Sequence, residues 1–149
     1  MGIKPIPDGY HTVTPALIVN GAAGVVSFAE RVLDARILSK IEMPDGTIGH
    51  SEIKIGNSII FVATPMNGAA TAPGWLYVYV DDVDSVYRKA IEAGATPVEE
   101  PTDKFYGDRT AAFNDKAGNH WGIATHVEDV SPEEMEKRMK AYSKQAQEA

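Results

Sequence analysis

The chain has 149 residues, 44% of them hydrophobic and 23% charged, with a formal net charge of −7 and no cysteine. That length supports one domain with its own core, and the composition is that of neither a disordered nor a fibrous chain. Without cysteine there are no disulfides, thiolate metal sites or cysteine nucleophiles, and the acidic balance works against nucleic acid and anionic membranes as partners.

The apolar runs are too short for a bilayer span, and the N-terminus lacks a charged-then-apolar signal, so the expected location is cytoplasmic. The segment His11 to Val19 is extended and feeds a helical pattern after Gly21. There Val25, Phe28, Ala29 and Val32 recur at i, i+3, i+4 and i+7, which puts one apolar stripe on a helix that should cover a sheet. Arg36 to Met43, Ile48 to Ile55 and Ser58 to Thr64 read as strands, joined by turns at Pro44-Asp45-Gly46 and Gly56-Asn57. Small, turn-prone residues from about 66 to 74 form a linker.

The second half repeats this order. Trp75 to Val80 is a strand, and Asp82 caps a helix whose apolar face carries Val83, Val86, Tyr87, Ala90 and Ile91 and which ends at Gly94. Thr96 to Phe105, broken by Pro97 and Pro101, reads as an edge strand and loop. Thr110 to Asp115 and His120 to Val127 supply two more strands. A last helix, about 131–145, starts at Ser131-Pro132-Glu133-Glu134, a capping box with proline at the first helical position, and carries Met135, Met139 and Tyr142 as a narrow stripe.

Strand-helix-strand-strand-strand therefore occurs twice, over about 10–65 and about 75–127. Val19 matches Val80 at an offset of 61, and Gly56-Asn57-Ser58 matches Gly118-Asn119-His120 at an offset of 62. The fold class is α+β, with two tandem βαβββ modules and a C-terminal helix.

Several stretches resemble the vicinal oxygen chelate superfamily, also called glyoxalase/bleomycin resistance/dioxygenase, and within it the PhnB-like proteins. They are Tyr10-His11-Thr12-Val13-Thr14-Pro15, Gly49-His50-Ser51-Glu52, Val80-Asp81-Asp82-Val83-Asp84, Phe105-Tyr106-Gly107-Asp108-Arg109, and Gly118-Asn119-His120-Trp121 running on to Glu134. The resemblance implies curled mixed sheets around a central cavity and, commonly, a homodimer. It fixes no reaction, because the superfamily spans lyases, isomerases, dioxygenases, thiol transferases and drug-binding proteins. It also implies metal positions on the first and last strands of each module. Here the matching residues are Thr14, Trp75, Ile60 and Gly122, none a typical nitrogen or carboxylate ligand, so no metal and no other cofactor is expected.

Strand alternation places Trp75, Tyr77 and Tyr79 on the cavity side, with His120, Gly122, Ala124 and His126 sharing one face of the closing strand. An aromatic wall with a few polar groups suits a small-molecule ligand, and Gly122 would leave room where a metal ligand normally stands. The expected ligand-binding residues are Trp75, Tyr77, Tyr106, Arg109, His120 and Gly122. Alternatives stay open at each place. Trp75 and Tyr77 stack on a ligand or plug a vestigial cavity. Tyr106, Asp108 and Arg109 clamp a carboxylate or phosphate, or Asp108 pairs with Arg109 to stiffen a loop.

His50 and Glu52, two apart on a strand, are candidate catalytic residues as an acid/base or metal-binding pair, or else belong to a solvated hairpin face. The leading expectation is a metal-independent small-molecule binding protein. The rival is a metal-dependent glyoxalase-like lyase or dioxygenase with displaced ligands, His50 and Glu52 helped by His11 or His126. Metal-free acid/base catalysis by His50 or Glu52 is a third reading.

Overall fold

The computed structural model describes residues 2–148. Module one runs β1 (Ala16–Ile18), α1 (Ala22–Leu33), β2 (Arg36–Glu42), β3 (Ile48–Ile55) and β4 (Ser58–Ala63). Module two repeats the order as β5 (Trp75–Tyr79), α2 (Val83–Glu92), β6 (Thr96–Asp103), β7 (Asp108–Asn114) and β8 (His120–His126), followed by α3 (Pro132–Glu148). Each module forms a four-stranded mixed sheet, in the orders β1-β4-β3-β2 and β5-β8-β7-β6. The first and last strands of each module are parallel and the other pairs antiparallel. Among the described residues, no helix is long and apolar enough to cross a membrane.

The apolar stripe of α1 does more than cover its own sheet. Val25, Ala29 and Val32 are buried in a core that also holds Ile53, Val62, Phe113, Trp121 and Ile123, so both sheets share it. Phe28 reaches across the modules, its ring 5.8 Å from Phe113 at 65° and 6.3 Å from Trp121. Edge-to-face geometry of this kind adds to the area that the rings bury. The helix-facing sides of the two sheets thus meet one core, and their opposite faces turn away from it.

The α2 start is as its sequence dictates: Asp82 accepts a hydrogen bond from the Ser85 amide at 3.2 Å, and Gly94 takes a left-handed φ of 95° after the helix. At α3 only half of the expected capping box forms. Ser131 Oγ accepts from the Glu134 amide at 3.2 Å, but the Glu134 carboxylate goes to Arg138 instead. The proline-broken β6 is an edge strand, where a missing amide proton costs no ladder bond.

The β7–β8 turn carries a buried polar network. The Asp115 carboxylate accepts from the Trp121 indole, the Asn119 side-chain amide, and the backbone amides of Ala117 and Asn119, all at 2.9 Å. Asn119 Oδ1 accepts from the Gly74 amide at 2.8 Å, and the Gly74 carbonyl accepts from the His120 amide at 2.9 Å. Gly74 is packed so closely that an added Cβ would stand 2.2 Å from Leu17 Cδ2. These bonds fix where β5 begins, and so where Trp75 stands.

Candidate functional site

With Gly74 pinned, β5 alternates in the expected sense. Leu76 and Val78 turn to the core, while Trp75, Tyr77 and Tyr79 point outward and are 69%, 39% and 63% exposed. Three large aromatic side chains in a row on an open sheet face carry a cost in water that an occupant would relieve. Trp75 stacks on His120 with centroids 4.8 Å apart and planes 16° from parallel, and Tyr77 meets Tyr79 edge-on at 5.4 Å. Tyr77 pairs with Gly122 in the parallel ladder, and its ring lies against it: an added Cβ at Gly122 would be 3.3 Å from Tyr77 Cδ1. The space expected at Gly122 is therefore occupied by Tyr77.

The polar centre of this face is Asp108, a side chain only 7% exposed. Its Oδ2 accepts from the Tyr77 hydroxyl at 2.7 Å and from the Tyr79 hydroxyl at 3.3 Å, and its Oδ1 lies 2.8 Å from His126 Nδ1. The other ring nitrogen of His126 is 2.7 Å from Asp129 Oδ1. Burial alone pushes Asp108 up, but the bonds from His126, Tyr77 and Tyr79 outweigh it and hold the carboxyl below its ordinary value. His126 moves up because both nitrogens face carboxylates, and Tyr77 moves far up through burial first and its bond to Asp108 second. The cluster thus keeps its phenols protonated and its carboxylate charged.

Tyr106 stands beside the Tyr77 hydroxyl, at the tip of the loop before β7. That loop is held from behind. Gly107 has φ of 101°, and its carbonyl accepts from the amides of Val127 and Glu128 at 2.9 and 3.1 Å. Arg138 of α3 donates to the Phe105 carbonyl at 2.9 Å, and the Tyr142 ring lies 5.2 Å from Phe105. No residue of α3 is buried, so the expected stripe of Met135, Met139 and Tyr142 is left largely uncovered.

Arg109 does not join this cluster. It lies on the helix side of β7, where Nε and Nη2 each donate to Asp84 at 2.9 Å and Nη1 donates to Asp103 at 3.1 Å. Asp108 and Arg109 form no pair with each other. The other candidates sit in module one, on the outer face of β3. His50 Nε2 is 3.9 Å from Glu52 Oε1, too long for a hydrogen bond, and the His50 ring lies edge-on to Phe61 at 4.9 Å. Glu52 accepts from Ser39 at 3.1 Å. The N-terminal segment lies along this face: Tyr10 reaches to 6.3 Å from Phe61, and burial, with Glu52 beside it, pushes its phenol up to about 12. His11 is exposed outside the first strand. A cleft of about 820 Å³ separates the modules, with Val32, Leu33, Ile60, Val78, Tyr77 and Tyr79 among its walls.

The model of the Glyoxalase/Bleomycin resistance protein/Dioxygenase superfamily matches residues 10–123. The chain belongs to that superfamily. An uncharacterized protein of Mycobacterium bovis is 29% identical over 139 residues, which span 85% of this chain and 91% of the relative. Among solved structures, TioX from Micromonospora sp. ML1 is 25% identical with a TM-score of 0.66, covering 78% of this chain and 99% of that one. A Bacillus cereus structure described as a putative 3-demethylubiquinone-9 3-methyltransferase, PhnB protein, is 19% identical with a TM-score of 0.63. It covers 77% of this chain and 99% of that chain.

The Val19 amide donates to the Ala63 carbonyl and the Val80 amide to the Ala124 carbonyl, so both outer strands match at an offset of 61. The offset of 62 expected for the closing strands is one residue out, and Gly122 corresponds to Phe61 rather than Ile60. Ile60 belongs to the core side. The superfamily's four metal positions are then Thr14, Phe61, Trp75 and Gly122, whose side chains do not make a nitrogen and carboxylate donor set. Among the described residues no three His, Asp or Glu side chains converge on one point. These residues do not fit a divalent ion.

Proposed function

We propose that this superfamily member binds a small, planar or amphipathic molecule on the aromatic face of module two, without a metal. The observation that supports this most is Trp75, held in a stack with His120 and yet mostly open to solvent, in a row with Tyr77 and Tyr79. Stacking on exposed aromatic rings needs shape and a π surface rather than a Lewis acid. Trp75, Tyr77, His120 and Tyr106 are its proposed contacts, with Gly122 setting the depth at which Tyr77 lies. Arg109, on the other side of the sheet, is given the role of a strut.

We further propose a homodimer in the cytoplasm. Exposed Ile37, Leu38 and Ile41 on β2, with Met139 and Tyr142 on α3, leave apolar surface that a second copy would cover. His50 and Glu52 stand 3.9 Å apart with the N-terminal segment along their face, and we assign them no part in this binding.

The test is calorimetric titration of planar aromatic compounds into protein stripped with a chelator, alongside Trp75→Ala. Binding that persists after stripping and weakens at least about tenfold in Trp75→Ala is expected, the loss that a stacking aromatic typically carries. Binding that appears only when zinc, nickel, iron or manganese is restored would refute the metal-free reading.

A further inference from the structure

The Asp108 cluster sets a hydrogen-bond polarity on the face that the aromatic rings alone would not have. A phenol has one proton, and Tyr77 and Tyr79 both turn theirs to Asp108 Oδ2. Tyr77 shares its oxygen with Tyr106, so the free acceptor that faces outward is the Tyr79 oxygen with its lone pairs. His126 lies with each ring nitrogen against a carboxylate, Asp108 on one side and Asp129 on the other, so any proton it carries is committed as well. The neighbouring Thr110 hydroxyl is likewise spent, on Glu99, which also takes Lys104. Asp108, Asp129 and Glu99 number three carboxylates against Lys104 and, when it is protonated, His126, so the carboxylates outnumber the cations in either state. Beside them stand the faces of Tyr79 and Trp75, which attract positive charge through the ring quadrupole.

We infer that Asp108 is a specificity-determining residue that makes this face select planar ligands bearing N–H donors, a protonated nitrogen heterocycle above all, over anionic ligands of the same shape. It acts through Tyr77 and Tyr79, so it is a positioning residue rather than a contact. The inference rests on the proposed ligand-binding role of the same face.

Three tricyclic probes of matched shape test it: 9-aminoacridinium, 9-methylanthracene, which is neutral and has no donor, and anthracene-9-carboxylate, titrated in 0.5 M salt to screen the overall charge of the chain. The cation is expected to bind at least about tenfold tighter than the anion, the size of one charge-assisted hydrogen bond. In Asp108→Asn this ratio falls to about threefold or less while the neutral probe holds within about twofold. Tyr79→Phe, which keeps the ring and removes only the hydroxyl, lowers the cation's affinity several-fold more than that of the neutral probe. Equal or tighter binding of the anion by the native protein, or an equal loss of all three probes in Asp108→Asn, overturns the selectivity claim while leaving ligand binding standing. Absence of binding by every probe overturns the ligand-binding reading itself, and the inference with it.

Discussion

Asp108 and Arg109 are consecutive residues of opposite charge that serve opposite sides of one sheet. Asp108 gathers Tyr77, Tyr79 and His126 on the outer face, while Arg109 grips Asp84 of α2 and Asp103 of β6 on the helix side. The pleat forbids them from sharing a partner. One residue organises a surface and the next fastens a helix.

Arg109→Ala should therefore leave ligand affinity unchanged and lower the urea midpoint modestly, because the three groups are partly exposed and screened. The deficit should shrink further in 0.5 M salt. A large loss of ligand affinity with an unchanged midpoint would restore Arg109 to the site.

The pH profile of stability should have two arms. His126 is raised in the fold above its ordinary 6.5, so its contribution is full below that value and is lost as pH rises through the higher folded value. Asp108 is lowered from 3.8, so its contribution is present above that value and is lost as pH falls through the lower folded one. Urea melts across pH 3–9 should show a plateau between the arms, and His126→Gln should remove the alkaline arm and weaken the acid one, because His126 is the first of the bonds that lower Asp108.

Gly107→Ala should destabilise the protein by about 2–3 kcal/mol, from the strain of a left-handed backbone. The cost arises because its φ is 101° and an added Cβ would lie 2.2 Å from the Glu128 carbonyl. Thermal melts give the cost, and limited proteolysis should show the segment after β8 and α3 becoming cleavable first.

Phe28→Ala should cost about 3 kcal/mol, the low end for a phenylalanine because its side chain is only partly buried. Since the ring spans to Phe113 and Trp121, the loss should appear in one cooperative unfolding transition, coincident by tryptophan fluorescence from module two and by far-ultraviolet circular dichroism from both modules. Two separated transitions would mean that the modules fold independently.

Periodicity carried the elements well, because α1, α2 and the strands around Gly56-Asn57 express strong apolar spacing and standard turns. The relation between the halves was harder. The turn at Gly56-Asn57 spans two residues, whereas the chain between β7 and β8 closes through Asp115 bonded to Asn119, a longer turn that the shared Gly-Asn motif conceals. Matching Gly-Asn to Gly-Asn therefore slid the closing strands by one, and in a strand one residue is a change of face. The Asp108 cluster was beyond reach for a related reason. From the sequence β7 begins at Thr110, which puts Asp108 and Arg109 in a loop where either can pair with the other. Two more residues of ladder assign them to opposite faces, and the partners of Asp108 come from β5, β8 and the segment after it, which only the assembled sheet brings together.

The most direct test of metal-free binding on the aromatic face is the pair of indole N–H signals in a nitrogen-edited spectrum of chelator-treated protein as a planar aromatic ligand is added. Trp75 is exposed on the face and Trp121 is buried in the core, so the two signals report different places. The Trp75 signal should shift in a saturable way while that of Trp121 stays in place. A ligand that binds and leaves Trp75 unmoved, or that shifts it only after a divalent metal is restored, would contradict the account.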